Sequence, residues 1–224
     1  MKYLMTAVIG VSLFAAACAD PAANKTKATV NEPSANSNAA GSNTAAAKPV
    51  AAPAVKGEGL AISGDNSKVE FTGSKVTGKH EGGFKALTGT IDLVNGKAAE
   101  SSVWVEIDTT SVYSDDEKLT GHLKSKDFFE VEKFPKASFK STKIEADTAK
   151  GADAYTVTGD FDLHGVTKSI SFPATIKAGA DSVEVDAEFS INRKDFGIVY
   201  AGQADNLIND LVVIKLNLKA PRKK

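Results

Sequence analysis

The side chains that most often carry chemistry are few in this sequence and lie far apart. The three histidines are His80, His122 and His164, with no H-x-H or H-x-x-x-H spacing and a single cysteine, Cys18. A metal site needs several ligands that converge on one point, so we expect no bound metal. The G-x-S-x-G, P-loop and G-x-G-x-x-G motifs are also absent from the sequence. The sequence therefore predicts no enzyme, no catalytic residue and no cofactor.

The remaining polar candidates have structural interpretations. Asp115, Asp116 and Glu117 follow one another and are typical of a helix start rather than of paired catalytic carboxylates. They predict a helix over Asp115–Ser125 with Ser114 as its N-cap. The formal net charge is −1 and no basic groove carries interleaved aromatic residues, so we expect no nucleic-acid partner.

The N-terminus predicts a bacterial lipoprotein. Residues 1–17 combine a lysine, the apolar run Leu4–Phe14 and three alanines directly before Cys18, which is the pattern of a signal peptide. The cysteine after small residues resembles a lipobox, although Ala15 stands where Leu is usual. We expect Cys18 to be acylated and to anchor the chain to a membrane. Ala19 replaces the Asp that retains lipoproteins at the inner membrane in enteric bacteria, which favours the outer membrane. An ordinary signal peptide with an incidental cysteine is the alternative.

Residues 18–56 are predicted to be the acylated cysteine followed by a disordered tether. The stretch Ala19–Lys56 is rich in Ala, Asn, Ser and Pro and has no aromatic residue. It buries too little apolar surface to offset chain entropy. We therefore place the folded domain at 57–221, within the periplasm or at the cell surface.

The folded domain is predicted to be all-β, because apolar residues recur with period 2 from Leu60 onward. The clearest runs are Val103, Val105, Ile107 and Val183, Val185, Ala187, Phe189, Ile191. About eight long strands, each with one apolar face, can form a sandwich or a closed barrel. Eight strands with one short helix favour an eight-stranded antiparallel lipocalin-like barrel. The phase slips between Phe139 and Ile144, which predicts a bulge, and Pro173 is expected at an edge or bulge.

An aromatic-rich stretch, Gly121–Ser141, is predicted to be a flap over the barrel interior. Inward-facing phenylalanines are the candidate lining of a cavity, and Gly89 and Gly159 on the same faces would leave room inside. A filled barrel would use the same residues as plain core, so both interpretations stay open. The candidate lining residues are Phe71, Phe84, Phe128, Phe139, Phe161, Phe172, Phe189 and Phe196.

Four stretches carry a family resemblance. They are Ile107–Val112, His122–Ser141, Gly159–Lys168 and Ile191–Ile198, in this order along the chain. With them the sequence resembles the YceI-like, or polyisoprenoid-binding, family over most of Ser67–Ala220. The resemblance implies a lipocalin-like barrel with an apolar tunnel for a long isoprenoid, quinone-like or other amphiphilic lipid. It implies no catalytic residue, and it does not predict the lipid anchor or the tether.

Three questions stay open at this point. Arg193 could form a structural salt bridge to a carboxylate such as Asp195, or it could contact a ligand head group at the barrel mouth. A filled barrel would instead indicate a structural or stress-related envelope protein that acts through its surface. The sequence also does not decide between a monomer and a homodimer.

Overall fold

The computed structural model of the protein describes residues 20–33 and 54–222. Almost all of the regular structure is β-strand, with one α-helix in the described part of the chain, α1 (Glu117–Leu123). The strands are β1 (Thr29–Asn31), β2 (Glu58–Ser63), β3 (Lys68–Lys75), β4 (Gly78–Phe84), β5 (Leu87–Leu93), β6 (Ser102–Asp108), β7 (Val112–Ser114), β8 (Lys136–Ala146), β9 (Ala154–Leu163), β10 (Val166–Ala178), β11 (Ser182–Asn192), β12 (Gly202–Gln203), β13 (Asn206–Leu207) and β14 (Leu211–Pro221).

Twelve of the strands form one antiparallel sheet that curls into the barrel wall, and β12 and β13 pair with each other in a separate two-stranded sheet. The order of the main sheet is β2-β5-β6-β8-β9-β10-β11-β14-β3-β4-β7, and β1 pairs with β10 outside this path. β2 lies at one edge of the sheet, and β3 lies near the other edge, next to β14. Only residues 64–67 connect β2 to β3, so this short link brings the two edges of the sheet together. Ser67 in this connection accepts from the backbone N–H of Lys219 at 2.9 Å. Arg222, just after β14, pairs with Glu58 of β2 at 2.6 Å. The predicted all-β, lipocalin-like barrel is confirmed.

The predicted number of eight strands is too low, since the main sheet has twelve in the described residues. The eight expected strands are β3, β5, β6, β8, β9, β10, β11 and β14. The longest omission is β4, whose sequence G-K-H-E-G-G-F has three glycines and one large apolar residue. Such a segment gives no period-2 signal, and its pairing with β3 places it in the sheet. The others, β1 and β7, are three residues long, and β2 directly precedes β3.

Two local predictions on the strands are confirmed. The register between β8 and β9 shifts between Ser141 and Lys143, which is the expected bulge. Pro173 pairs with β9 on one side only, opposite Thr156. On its other side, β1 pairs as far as Ser171 and β11 begins to pair at Thr175. Pro173 therefore occupies the gap between these two partners, where no ladder bond needs its missing N–H.

The prediction that the chain is disordered from Ala19 to Lys56 is wrong for residues 20–33. Val30 of β1 lies opposite Ile170 of β10, and the backbone N–H of Ala28 donates to the carbonyl of Ser190 at 2.8 Å. Ala22 and Ala28 are buried. Composition missed this segment because backbone pairing and small buried alanines hold it to the barrel, rather than large apolar side chains. The rest of the predicted tether before residue 54 and the signal peptide at 1–17 lie outside the described residues.

The predicted helix is shorter than expected and has a different cap. Asp116 rather than Ser114 is the N-cap of α1, and its carboxylate accepts from the backbone N–H of Leu119 at 2.8 Å. Ser114 instead donates from its hydroxyl to the carbonyl of Asp116 at 2.7 Å. Asp115 accepts from the backbone N–H of Glu81, which lowers the pKa of its carboxyl, and His80 adds to the effect. Asp115 therefore attaches the helix start to β4, while Asp116 caps the helix.

Candidate functional site

The barrel encloses an apolar cavity of about 200 Å³. A water molecule needs only about 10–15 Å³ of such space, so the cavity is far larger than a packing void. The surface exposed to it is entirely apolar. Lining residues occur near both ends of β14, from Val212 to Leu218, and this separation corresponds to roughly 20 Å along a strand. The interior is therefore an elongated apolar chamber, and the interpretation as a filled barrel is wrong.

The structure brings seven of the eight predicted phenylalanines to the cavity wall. They are Phe71, Phe84, Phe128, Phe139, Phe161, Phe172 and Phe189. Phe196 is not part of the wall: it is fully buried and its ring packs edge-on against Phe161 at 5.2 Å. It lies on the 3-10 turn Arg193–Phe196 after β11, where the period-2 rule no longer applies. Whether the other seven contact a ligand stays a prediction.

Much of the lining was not predicted, because aliphatic residues supply it. These aliphatic residues belong to the same period-2 pattern that predicted the strands. Only the phenylalanines of that pattern were proposed as lining residues. The aliphatic lining includes Ile91, Leu93, Val103, Val105, Ile107, Ile144, Val157, Ile170, Ile176, Val183, Val185, Ile191, Ile198, Ile208, Ile214, Leu216 and Leu218. Phe129 also lines the cavity. Its position next to Phe128 in the flap could have identified it.

The predicted flap covers one end of the cavity with two neighbouring rings, Phe128 and Phe129. Each ring packs against a different group of aromatic residues. Phe129 packs against Phe71 at 6.3 Å and Phe84 at 5.5 Å, on β3 and β4. Phe128 packs against Tyr200 at 5.5 Å. The segment after α1 is irregular, and the backbone N–H of Phe129 donates to the carbonyl of Leu123 at 3.0 Å. The flap is thus held between the β3–β4 hairpin and the loop that follows β11.

Glycines make room for two of the lining rings. A Cβ at Gly159 would lie 2.7 Å from Cε2 of Phe139, and one at Gly82 would lie 2.6 Å from Cζ of Phe71. Real Cβ atoms do not approach other atoms so closely, so each glycine is needed for its ring. The expectation that Gly159 leaves empty space is therefore wrong, because the Phe139 ring fills it. At Gly89 the neighbouring Val105 backbone and the Ile62 side chain take the space.

Arg193 is buried beside the cavity, with 4% of its surface exposed. Its guanidinium donates to three carbonyls, those of Ile198 at 2.7 Å, Asn209 at 3.1 Å and Ile208 at 3.3 Å. An ion pair with Asp210 at 3.5 Å completes the set. Burial lowers the pKa of Arg193, and the charge of Asp210 opposes this shift. The structural interpretation of Arg193 is therefore supported, although its acidic partner is Asp210 rather than Asp195.

The histidines have local structural partners. His122 contacts Asp127 at 2.9 Å within the flap. His164 has a positive φ of 55° in the turn between β9 and β10, and its Nδ1 lies 3.3 Å from the carbonyl of Phe196. Across residues 20–33 and 54–222, no group of three or more His, Cys, Asp or Glu side chains is placed to hold a metal ion. No helix in these same residues is long and apolar enough to cross a membrane.

The fold and the cavity together define a lipocalin-like barrel with an apolar interior. The chain belongs to the YceI-like family, whose domain model matches residues 60–220. It is 34% identical to a UPF0312 protein of Pseudomonas putida (strain W619) over 134 residues, which cover 57% of this chain and 68% of that one.

Two solved structures have a similar fold. BcnA of Burkholderia cenocepacia is 26% identical, with a TM-score of 0.63 over 71% of this chain and 99% of its own. A polyisoprenoid binding domain from Saccharophagus degradans, implicated in plant cell wall breakdown, is 19% identical. It aligns with a TM-score of 0.56 over 73% of this chain and 99% of its own.

Proposed function

We propose that this protein binds the apolar chain of an amphiphilic lipid, of the isoprenoid or isoprenoid-quinone class, inside its barrel. The observation that carries the proposal is the elongated cavity with an entirely apolar surface. Of the lining residues only Ser101, Ser102 and Arg193 are polar, so the wall offers few groups that could orient a polar substrate, whereas it suits a long hydrocarbon chain. The name of the Saccharophagus degradans domain adds support from a protein of the same fold.

Apolar burial is the driving force that this site offers. Each Å² of apolar surface removed from water contributes about 25 cal/mol. A long chain can therefore bind tightly with few polar contacts, and its length must match the length of the chamber. The site needs no catalytic group to do this, and lipid carriage or storage is the activity that follows from it.

We further propose that the protein acts in the bacterial cell envelope. Residues 1–17 would direct export, and acylated Cys18 would anchor the chain, with the outer membrane as the favoured site. The support for this lies in the sequence alone. The intact mass of the protein purified from bacterial membranes tests it, because acylation adds a lipid mass at Cys18 that a Cys18→Ser variant lacks.

Native mass spectrometry tests the lipid-binding proposal directly. The full chain is purified from its bacterial host and sprayed with and without added ubiquinone or menaquinone. We expect lipid adducts in the native protein, or stoichiometric uptake of the added quinone, and loss of both on denaturation. A protein that carries no lipid and takes up no isoprenoid quinone would refute the proposal.

Removing the two flap rings is expected to weaken lipid retention. Phe128→Ala combined with Phe129→Ala opens the end of the cavity that these rings cover. Full burial of a large apolar side chain contributes roughly 1.5–3 kcal/mol, so retention should fall by at least about tenfold. The measurement is the bound fraction by native mass spectrometry, alongside the β-sheet signal in circular dichroism.

Phe134→Ala is the matched control for this pair. Phe134 belongs to the same flap, but it packs against His164 at 4.7 Å and does not line the cavity. We expect Phe134→Ala to keep the lipid. Loss of the β-sheet signal in the double variant would instead show that Phe128 and Phe129 are plain core residues.

A further inference from the structure

Exposed apolar side chains are concentrated at one end of the barrel. Among the described residues, the exposed large hydrophobic side chains are Val76, Val199 and Leu207, at 66%, 63% and 49% exposure, and Val55 at 49%. Val76 follows β3, Leu207 ends β13, and Val199 lies in the loop after β11. We call Val76, Val199 and Leu207 the apolar tip.

Backbone hydrogen bonds tie the loops of the apolar tip together. The N–H of Val76 donates to the carbonyl of Leu207 at 3.1 Å, and the N–H of Ile208 donates to the carbonyl of Ala201 at 2.9 Å. The loop that carries Val199 and Leu207 has few charges, because Asp205 is the only charged residue between Phe196 and Asn209, whereas Lys75 and Lys79 flank Val76 in the other loop. The tip is therefore an apolar surface built from two hydrogen-bonded loops, with lysines beside Val76.

The N-terminal segment begins at this same end. The hydroxyl of Ser74, two residues before Val76, donates to the Asp20 carboxylate at 3.3 Å. Asp20 also lines a surface groove together with Ala201, Leu207 and Ile208. Cys18 precedes Asp20 by two residues, which span at most about 7 Å of chain. A membrane anchor on Cys18 would thus hold the barrel by the apolar tip, and not through a long tether.

The flap end of the cavity is adjacent to the apolar tip. Tyr200, next to Val199, packs against the flap ring Phe128 at 5.5 Å. Ile198 and Ile208, each directly beside a tip residue in sequence, line the cavity. The end that faces the anchor is therefore also the end that the flap covers.

We propose that the apolar tip docks on the lipid bilayer that holds Cys18, so that the flap end of the cavity faces the membrane and lipid passes between the two without crossing water. The proposal rests on the acylation of Cys18 and on the lipid-binding function proposed above. The occupant is a bilayer surface because at most about 7 Å of chain separates Cys18 from Asp20, and because the tip exposes three large apolar side chains. Apolar side chains of interfacial elements enter the bilayer by about 5–10 Å.

Fluorescence quenching by nitroxide lipids tests this orientation on the full acylated chain. Val199→Cys and, separately, Val76→Cys are labelled with a thiol-reactive NBD dye. Cys18 is the only natural cysteine, and once alkylated it no longer reacts with the dye. The protein is reconstituted in phosphatidylethanolamine–phosphatidylglycerol vesicles, with and without phosphatidylcholine that has a nitroxide high on its acyl chain.

Val55→Cys is the matched control. Val55 is exposed like the tip residues, but it lies three residues before Glu58, which pairs with Arg222 at the opposite end of β14. The eleven residues of β14 separate the two ends by roughly 35 Å. We expect at least about twofold quenching at positions 76 and 199 and little change at position 55, because only a dye within the interface meets the nitroxide.

Each outcome decides the proposal. Equal quenching at positions 55 and 199, no quenching at positions 76 and 199, or an unmodified Cys18 in the intact mass would each overturn the proposed orientation. Lipid content of the same sample is measured in parallel. Lipid uptake without site-selective quenching would refute the proposed orientation but support the lipid-binding function. Site-selective quenching without lipid uptake would support the orientation but refute the lipid-binding function.

Discussion

Val185→Trp is expected to abolish most lipid binding while the barrel still folds. Val185 lies on β11, is 7% exposed and lines the cavity. An indole in place of an isopropyl group would enter the chamber and take space that a lipid chain needs. Overpacking usually lowers the free energy of unfolding by about 1–3 kcal/mol, and an empty cavity can absorb part of that strain. Bound lipid should fall by at least about tenfold, since about 1.4 kcal/mol is enough for that change.

Asp186→Trp is the control, because the neighbouring residue on the same strand points outward. Asp186 is exposed and accepts from the side-chain amide of Asn217 at 2.6 Å. It should keep its lipid in native mass spectrometry. Val185→Phe provides a graded step, with retention between that of the native protein and that of Val185→Trp. Undiminished lipid in the folded Val185→Trp protein would show that the ligand does not occupy the cavity.

The barrel could be predicted from sequence because its strands obey one simple rule. In β6 and β11, alternate residues face inward and are buried, as the period-2 pattern requires. The rule fails where a segment has only one large apolar side chain, because a single residue cannot show alternation. Gly78–Phe84 enters the sheet by pairing with β3, and Thr29–Asn31 by pairing with β10. Backbone pairing leaves no residue-type signal, so both segments were missed.

The cavity itself could not be derived from residue types. The same phenylalanines and aliphatic residues would line a chamber or fill a core, because only the spacing between opposite walls distinguishes the two. Gly159 illustrates the difficulty: the missing side chain suggested free space, yet the Phe139 ring occupies it. Arg193 is a second case. Asp195 is close in sequence, but the 3-10 turn places Asp210 of a later loop beside the guanidinium.

Arg193→Met is expected to lower the free energy of unfolding far more than Arg222→Met, the same substitution at the other arginine. It removes the donor of three carbonyls, those of Ile198, Ile208 and Asn209. A buried acceptor left without a partner costs about 1–3 kcal/mol, so the free energy of unfolding should fall by about 3–5 kcal/mol. Because about 1 kcal/mol shifts the Tm of a domain of this size by roughly 2–4 °C, the Tm should drop by about 6–20 °C in a thermal melt.

The other arginine of the chain is a natural control for this prediction. Arg222 pairs with Glu58 at 2.6 Å, but both side chains are about one-third exposed. Exposed ion pairs contribute about 0–1 kcal/mol, so Arg222→Met should lower the Tm by at most about 4 °C. Arg193→Lys separates charge from geometry, because one ammonium group cannot reach three carbonyls on separate segments as the planar guanidinium does. We expect Arg193→Lys to lose most of the stability that Arg193→Met loses. Equal Tm shifts for Arg193→Met and Arg222→Met would contradict the view that Arg193 fastens the loops at the flap end of the cavity.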